Sequence, residues 1–279
     1  MLARLALLIT LGFASALDLW SAVPSCSTPK LTDEQRAVHA KFLAASRLGE
    51  SAVSKRASIS VDSYVHVVTE SNSPSSYYLT MRILNAEFAR SSFTFRLAEV
   101  DWLVKPEWAR NQENNTMMTQ LRKGSYRALN LYFLTDSSGG HVGYCSYPTD
   151  ETQYWPIDGC IISAWTVPGN LSLYTGGDEL SHGMSTVHEV GHWQNLMHTF
   201  EGDNCAGDGD LVDDTPAEAS APTEPCPTGR NTCSQASEDP IHNHMDYSHD
   251  SCKATNGYAF TDGQIRRMEE SWYHYRSGK

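Results

Sequence analysis

The 279-residue chain carries 33 acidic against 21 basic residues, a formal charge of −12, and is 40% apolar with 10% aromatic residues. That length and apolar content allow one large or two small domains with a sizeable core. The acidic balance argues against a nucleic-acid partner, which would call for a basic face.

The chain opens MLARLALLITLGFASA, with Arg4 early, an apolar run, and then Ala14-Ser15-Ala16. A basic start, a short apolar stretch and an A-x-A site predict a secretory signal peptide over residues 1–16. The run is too short to span a bilayer comfortably. No later segment is long and apolar enough, so a secreted, extracellular protein without a membrane anchor is expected. A monomer is expected. In an oxidising compartment the seven cysteines should mostly pair, leaving one over. The sequons at Asn114 and Asn170 become candidate glycosylation sites.

Thr32-Asp33-Glu34 is a helix start, and Leu31 to Leu48 reads as partly helical. The dibasic Lys55-Arg56 that follows suggests proteolytic release of a pro-segment over 17–56, with a catalytic domain over 57–279. From Ser58 the texture changes. Ser60–Thr69 reads as a valine-rich strand, Tyr77–Arg90 as an amphipathic helix, Ser92–Val104 as a strand, and Asn115–Lys123 as a helix. Arg127–Thr135 reads as a buried strand, and Gly143–Tyr147 follows the turn at Ser137–Gly140. Cys160–Thr166 reads as a further strand, its edge near Ile161–Thr166 offered to an extended peptide. Strand and helix alternate as in an α/β layer. Met184–Met197 reads as a helix. From Thr199 to Thr255 periodicity fades into Gly, Pro, Asp and Cys, a stretch that four cysteines could staple. Phe260–Tyr275 closes the chain as a helix.

The stretch HEVGHWQNLMH, His188 to His198, carries the chemistry. On a helix His188 and His192 share one face and can grip one ion. Glu189, about a third of a turn away, sits beside the metal without ligating it. This is the H-E-x-x-H arrangement. Thr186 and Glu189 also fit a capping box, which would make Glu189 structural but leave the histidine pair unexplained. On a continuous helix His198 would lie about 15 Å along the axis from His188, rotated about 80° from its face. To reach the same ion the helix must stop and the chain fold back, through a residue that tolerates positive φ. Asn195 is such a residue.

These residues resemble the metzincin zinc metalloproteases, whose pattern H-E-x-x-H-x-x-G-x-x-H precedes a methionine turn. Asn195 stands in place of the glycine, and Asn243-His244-Met245-Asp246-Tyr247-Ser248 looks like the turn. Further segments (GYCSYP, DGCII, TVPGN, HTFEG, DDTPAE, CPTGRNTC, DPIHNHMDYS, DSC) resemble the pappalysin family, in particular the secreted metalloproteases of fungi, over about residues 59–279. His244 departs from the tyrosine more usual there.

The resemblance implies an α/β (α+β) zincin with metzincin architecture. A twisted mixed sheet with the active-site helix would form an upper half (about 57–198), and an irregular disulfide-stapled lower half with a C-terminal helix would follow (about 199–279). It implies one catalytic Zn2+ on His188, His192 and His198, Glu189 as general base for a zinc-activated water, Met245 as the floor of the site, and Tyr247 as a catalytic hydrogen-bond donor. Protein or peptide substrates follow. It further implies disulfides Cys205–Cys233 and Cys226–Cys252, with Cys145–Cys160 as a local pair; the cysteine count alone leaves 15 pairings for six cysteines. Cys26 is then the odd one, a candidate cysteine switch on zinc's open position. Asp203, Asp208, Asp210 and Asp213, spaced with glycine, are candidate Ca2+ ligands. Two rivals stand beside the endopeptidase: an inactive zinc-binding relative serving as a secreted binding module, and zinc-dependent hydrolysis of a non-peptide amide.

Overall fold

A computed structural model describes residues 25–48, 58–71, 78–135, 141–168, 182–206, 208–233, 237–253 and 259–279. The expected signal peptide (1–16), the second sequon at Asn170 and the dibasic pair lie outside the described residues. Six strands make one sheet in the order β1-β5-β6-β4-β2-β3. These are β1 (Ser25–Cys26), β2 (Ile59–Thr69), β3 (Phe93–Val104), β4 (Leu129–Leu134), β5 (His141–Cys145) and β6 (Cys160–Ser163). All neighbours pair in parallel except β5 with β6, which run antiparallel. The sheet is therefore mixed.

Alternation along β4 sorts its side chains to two faces. Leu129, Leu131 and Phe133 join one apolar cluster with residues of α2 (Tyr78–Glu87), α5 (Met184–Trp193) and α7 (Asp262–Ser271). Tyr132 and Leu134 face the other way, onto Trp108 of α3 (Pro106–Ala109) and Met117 and Met118 of α4 (Asn114–Leu121). Every residue of β4 is buried, which explains why RALNLYFLT reads as a continuous apolar run. β6 runs between β4 and β5. The expected free edge near Ile161–Thr166 is therefore not an edge. It lies inside the sheet, and Ala164–Thr166 turn as a short 3-10 helix. The strand beyond it is β5, whose outer side carries β1.

Two helices carry strong start signals. Thr32 caps α1 (Asp33–Arg47), its hydroxyl accepting from Gln35 N while Gln35 Oε1 accepts from Thr32 N. Thr261 and Gln264 repeat the device on α7. Beyond residue 199 the chain is irregular apart from α6 (Asp250–Lys253) and α7 with its closing turn. Disulfides join Cys205 to Cys233, Cys226 to Cys252, and Cys145 to Cys160 across the β5–β6 pair. In the irregular stretch Arg230 reaches Glu218, Asp239 and the Ser220 carbonyl, a substitute for ladder hydrogen bonds.

Candidate active site

The active-site helix is buried along its whole length, and a residue distant in sequence starts it: Asp250 Oδ2 accepts from Met184 N at 2.9 Å. Thr186 lies inside the helix, so it makes no capping box with Glu189. The helix stops well before Met197. Asn195 has φ 78°, Asn195 N donates to His192 O and Leu196 N donates to Gly191 O, closing a Schellman turn. The turn also fixes a side chain, because His192 Nδ1 donates to Leu196 O at 2.8 Å. His188 Nδ1 donates to His244 O at 2.7 Å.

These bonds orient His188 and His192. With their Nδ1 protons committed, both Nε2 atoms turn bare lone pairs toward one point. His192 Nε2 is 3.1 Å from both His188 Nε2 and His198 Nε2, and Cys26 Sγ is 3.1 Å from His198 Nε2 and 3.4 Å from His192 Nε2. Lone pairs held that close repel unless a cation lies among them. Donors about 2.0–2.1 Å from one tetrahedral ion stand about 3.3 Å apart, so the four ligand atoms fit a metal. Burial holds all three histidines below the usual imidazole range, keeping them neutral and able to ligate.

Glu189 is fully buried, and burial followed by the neighbouring Cys26 sulfur pushes its carboxyl well above the ordinary range. Oε2 accepts from the Thr28 hydroxyl at 3.2 Å, which in turn accepts from Cys145 N at 3.1 Å. Oε1 has no partner. Tyr247 Oη donates to the Cys26 carbonyl at 3.1 Å and packs beside His198 and Phe200. Met245 is buried under the helix, its N–H bound to Asn243 Oδ1. His244 fills a closed space between Phe260 and Glu87 Oε2, 3.0 Å away.

Three further residues of the site escaped the sequence reading. A Cβ on Gly191 would collide with Met245 Sδ, and one on Gly143 would sit 2.5 Å from Ile161 O and 3.2 Å from Glu189 Cγ. Tyr147 is half-buried, with its hydroxyl 3.2 Å from His192 Nδ1. Gly143 and Tyr147 stand within the quoted GYCSYP, but nothing in that string reports closeness to Glu189 or His192.

The four candidate calcium ligands do not converge. Arg47 binds Asp208 and Asp213, Asp210 Oδ1 accepts from Val212 N, and Asp203 is exposed. Asn114 opens α4 with Nδ2 donating to Asn111 Oδ1 and Tyr144 Oη, bonds that a glycan on that nitrogen would break.

A family model described as pregnancy-associated plasma protein-A matches residues 170–272. An extracellular metalloprotease of Pyricularia oryzae is 42% identical over 267 residues, covering 91% of this chain and 90% of that one. The chain belongs to the pappalysin family of metalloproteases. A second member, an extracellular metalloprotease of Podospora anserina, is 45% identical over 231 residues, covering 78% of this chain and 75% of that one. Among solved structures the pappalysin-type fold recurs in mirolysin bound to a compound (TM-score 0.65, 22% identity, 78% of this chain and 92% of that one). It recurs also in mature mirolysin of Tannerella forsythia with a cleaved peptide (TM-score 0.61, 22% identity, 77% and 91%). As a family member the chain is a metallopeptidase, and among the described residues Cys26, His188, His192 and His198 bring donor atoms within 4.8 Å of one another.

Proposed function

We propose that the protein is a secreted zinc metalloendopeptidase described here in its zymogen form, with residues 1–16 a signal peptide, 17–56 a pro-segment and 57–279 the catalytic domain. The observation that carries the reading is the convergence of three Nε2 lone pairs beside the buried carboxylate of Glu189. The neutral imidazoles of His188, His192 and His198 suit zinc and would hold it, with Cys26 Sγ on the fourth side as the zymogen's plug. Relatives named extracellular metalloproteases support secretion. Calcium stays outside the proposal, since Arg47 engages two of its four candidate ligands.

Zinc held there supplies Lewis acidity, lowering the pKa of water that takes Cys26's place and polarising a peptide carbonyl. Glu189 takes the proton of the attacking water. It carries that proton to the leaving amine, a role suited to a carboxyl held above its usual range by burial. Tyr247 already donates to a backbone carbonyl in the cleft, that of Cys26, and would donate to the oxygen on which charge develops. Met245 supports the helix at Gly191 from below. The outer side of β5 takes an extended backbone, as Ser27 N shows by donating to Gly143 O at 2.9 Å. Protein or peptide substrates would lie there once β1 has left. The pro-segment thus covers metal, base and strand edge together, through Cys26, Thr28 and Ser27.

The test is casein hydrolysis by protein cut after Arg56. Activity blocked by a chelator and lost at least about 10³-fold in Glu189→Gln, with an unchanged melting temperature, is expected. Hydrolysis that survives Glu189→Gln would exclude the mechanism. Asn195 gives no support to an inactive relative, since at φ 78° it makes the turn a glycine would make.

A further inference from the structure

The turn that delivers His198 needs positive φ at residue 195, and glycine meets that need at the least cost. Asparagine brings something the turn does not require. Its Oδ1 accepts from His39 Nε2 at 2.5 Å, across 156 residues of sequence. His39 is fully buried on the inner face of α1, and its other ring nitrogen, Nδ1, accepts from Arg267 Nη1 at 2.8 Å. The imidazole is read at both ends, by an acceptor and by a donor. Only the neutral ring with its proton on Nε2 satisfies both, because a second proton would point at the Arg267 guanidinium.

The same face of α1 is bound along its length. Arg36 pairs with Glu201 at 3.2 Å, and Arg47 with Asp213 at 2.7 Å and Asp208 at 3.0 Å. Arg266 donates to Ser46 Oγ at 2.8 Å. Leu43 and Leu31 pack with Met197 and Leu211. These contacts lie beside the metal centre rather than on it, and all face residues beyond 194.

We propose that Asn195 and Arg267 form a recognition site for the neutral imidazole of His39, through which the severed segment 25–48 rebinds the processed protein in trans. The inference rests on the pro-segment reading and adds what that reading lacks, namely a determinant of which segment fits. The occupant is the chain's own helix, already seated, with a donor, an acceptor, three ion pairs and an apolar patch matched to it. A relative with glycine at the turn would lack the acceptor and bind this segment less well.

The test measures binding of a fluorescent synthetic peptide of residues 25–48 to protein made as the full chain, cut after Arg56 and separated from its N-terminal piece. Every peptide carries Cys26→Ser, which removes the thiol's own contribution. Binding rather than turnover is read, so a protein without peptidase activity would sink the proposed function and leave this result standing. We expect the Cys26→Ser peptide to bind, and either His39→Ala in the peptide or Asn195→Gly in the protein to weaken it about 10-fold. The two together should cost no more than one alone.

Lowering the pH from 7.5 to 5.0 should weaken the parent pair by a further factor of about 30 relative to the His39→Ala peptide. The free imidazole titrates near 6.5, and burial followed by Arg267 pushes the bound one down to about 3. The charges around His39 are Arg267 from α7 and Arg36 from α1. Asp210, Asp213, Glu270 and Tyr275 surround Arg267. The carboxylates paired with Arg36 and Arg47 are common to both peptides and cancel. Failure of the Cys26→Ser peptide to bind, strictly additive effects of the two substitutions, or equal pH dependence of the two peptides would each overturn the proposal. The His39→Ala and pH arms use unaltered protein, so they decide the matter even if Asn195→Gly fails to fold.

Discussion

Residues 59–193 and residues 199–259 hold their shape by different means. The first region is layered. Parallel strands exchange backbone hydrogen bonds, and the sheet buries apolar side chains against α2 and α5 on one face and α3 and α4 on the other. Its order is spread over many equivalent small contributions, so single changes are locally absorbed. The second region has little ladder and few apolar anchors. Two disulfides, the Arg230 cluster, and side-chain bonds such as Thr199 Oγ1 to Glu218 Oε2 (2.7 Å) replace them. Its order is concentrated in a few groups, and each matters more. The candidate active site lies where the two regions meet, with Glu189, His188 and His192 from the first and Met245 and Tyr247 from the second.

The sharpest way to break that comparison is to remove one bridge from each region. Replacing Cys205 and Cys233 by serine opens a 28-residue loop and should cost about 3.5 kcal/mol. The Cys145/Cys160 pair closes only 15 residues and should cost about 3 kcal/mol. Hydrogen exchange should show residues 199–259 opening locally in the first variant, whereas the sheet should stay protected in the second because its ladder remains. Equal protection in both would refute the distinction.

The seam is probed by Gly191→Ala. The new methyl meets Met245 Sδ, so one added carbon in the first region must displace the floor supplied by the second. A loss of about 1–3 kcal/mol in thermal or denaturant unfolding is expected, together with weaker metal retention against a chelator. Alanine tolerated at full stability would mean that Met245 yields freely.

If Tyr247 acts as proposed, Tyr247→Phe should lower kcat about 10-fold or more in protein cut after Arg56 and leave KM nearly unchanged, since its hydroxyl already donates to a backbone carbonyl in the cleft. A rise in KM alone would assign it to substrate binding.

A separate test concerns acid and base. Burial raises the carboxyl of Asp210 to about 8. The folded state therefore binds the proton more tightly than the unfolded chain, whose carboxyl titrates near 3.9. That contribution is fully present below about pH 4 and is lost as pH rises through about 8. In calcium-free buffer the melting temperature should decline across this window, and Asp210→Asn should flatten the slope. A parallel slope in the variant would place the titration elsewhere.

What was legible in the sequence follows the same division. The strands Ser60–Thr69 and Arg127–Thr135 showed themselves because burial on regular backbone leaves a period, and the observed β2 and β4 fall within a residue or two of them. The helix start at Thr32 is local chemistry and could be read as such. Cys160–Thr166 misled as a peptide-binding edge, because a strand's own residues do not say which neighbours flank it. Gly191 and Gly143 were unreadable, since only the approach of Met245 or of Ile161 and Glu189 makes a missing Cβ necessary.

The sequence by itself determined the helical spacing of His188, Glu189 and His192, and the need for a positive-φ residue before His198. Both follow from covalent geometry over fewer than a dozen residues. Only the tertiary structure decided what Asn195 holds, where Cys26 and Thr28 end, and that Asp250 starts the helix. Those pairings span from 66 to 172 residues of chain. At such separations contact is set by how the sheet, the bridges and the N-terminal segment 25–48 close on one another, and no local pattern encodes it.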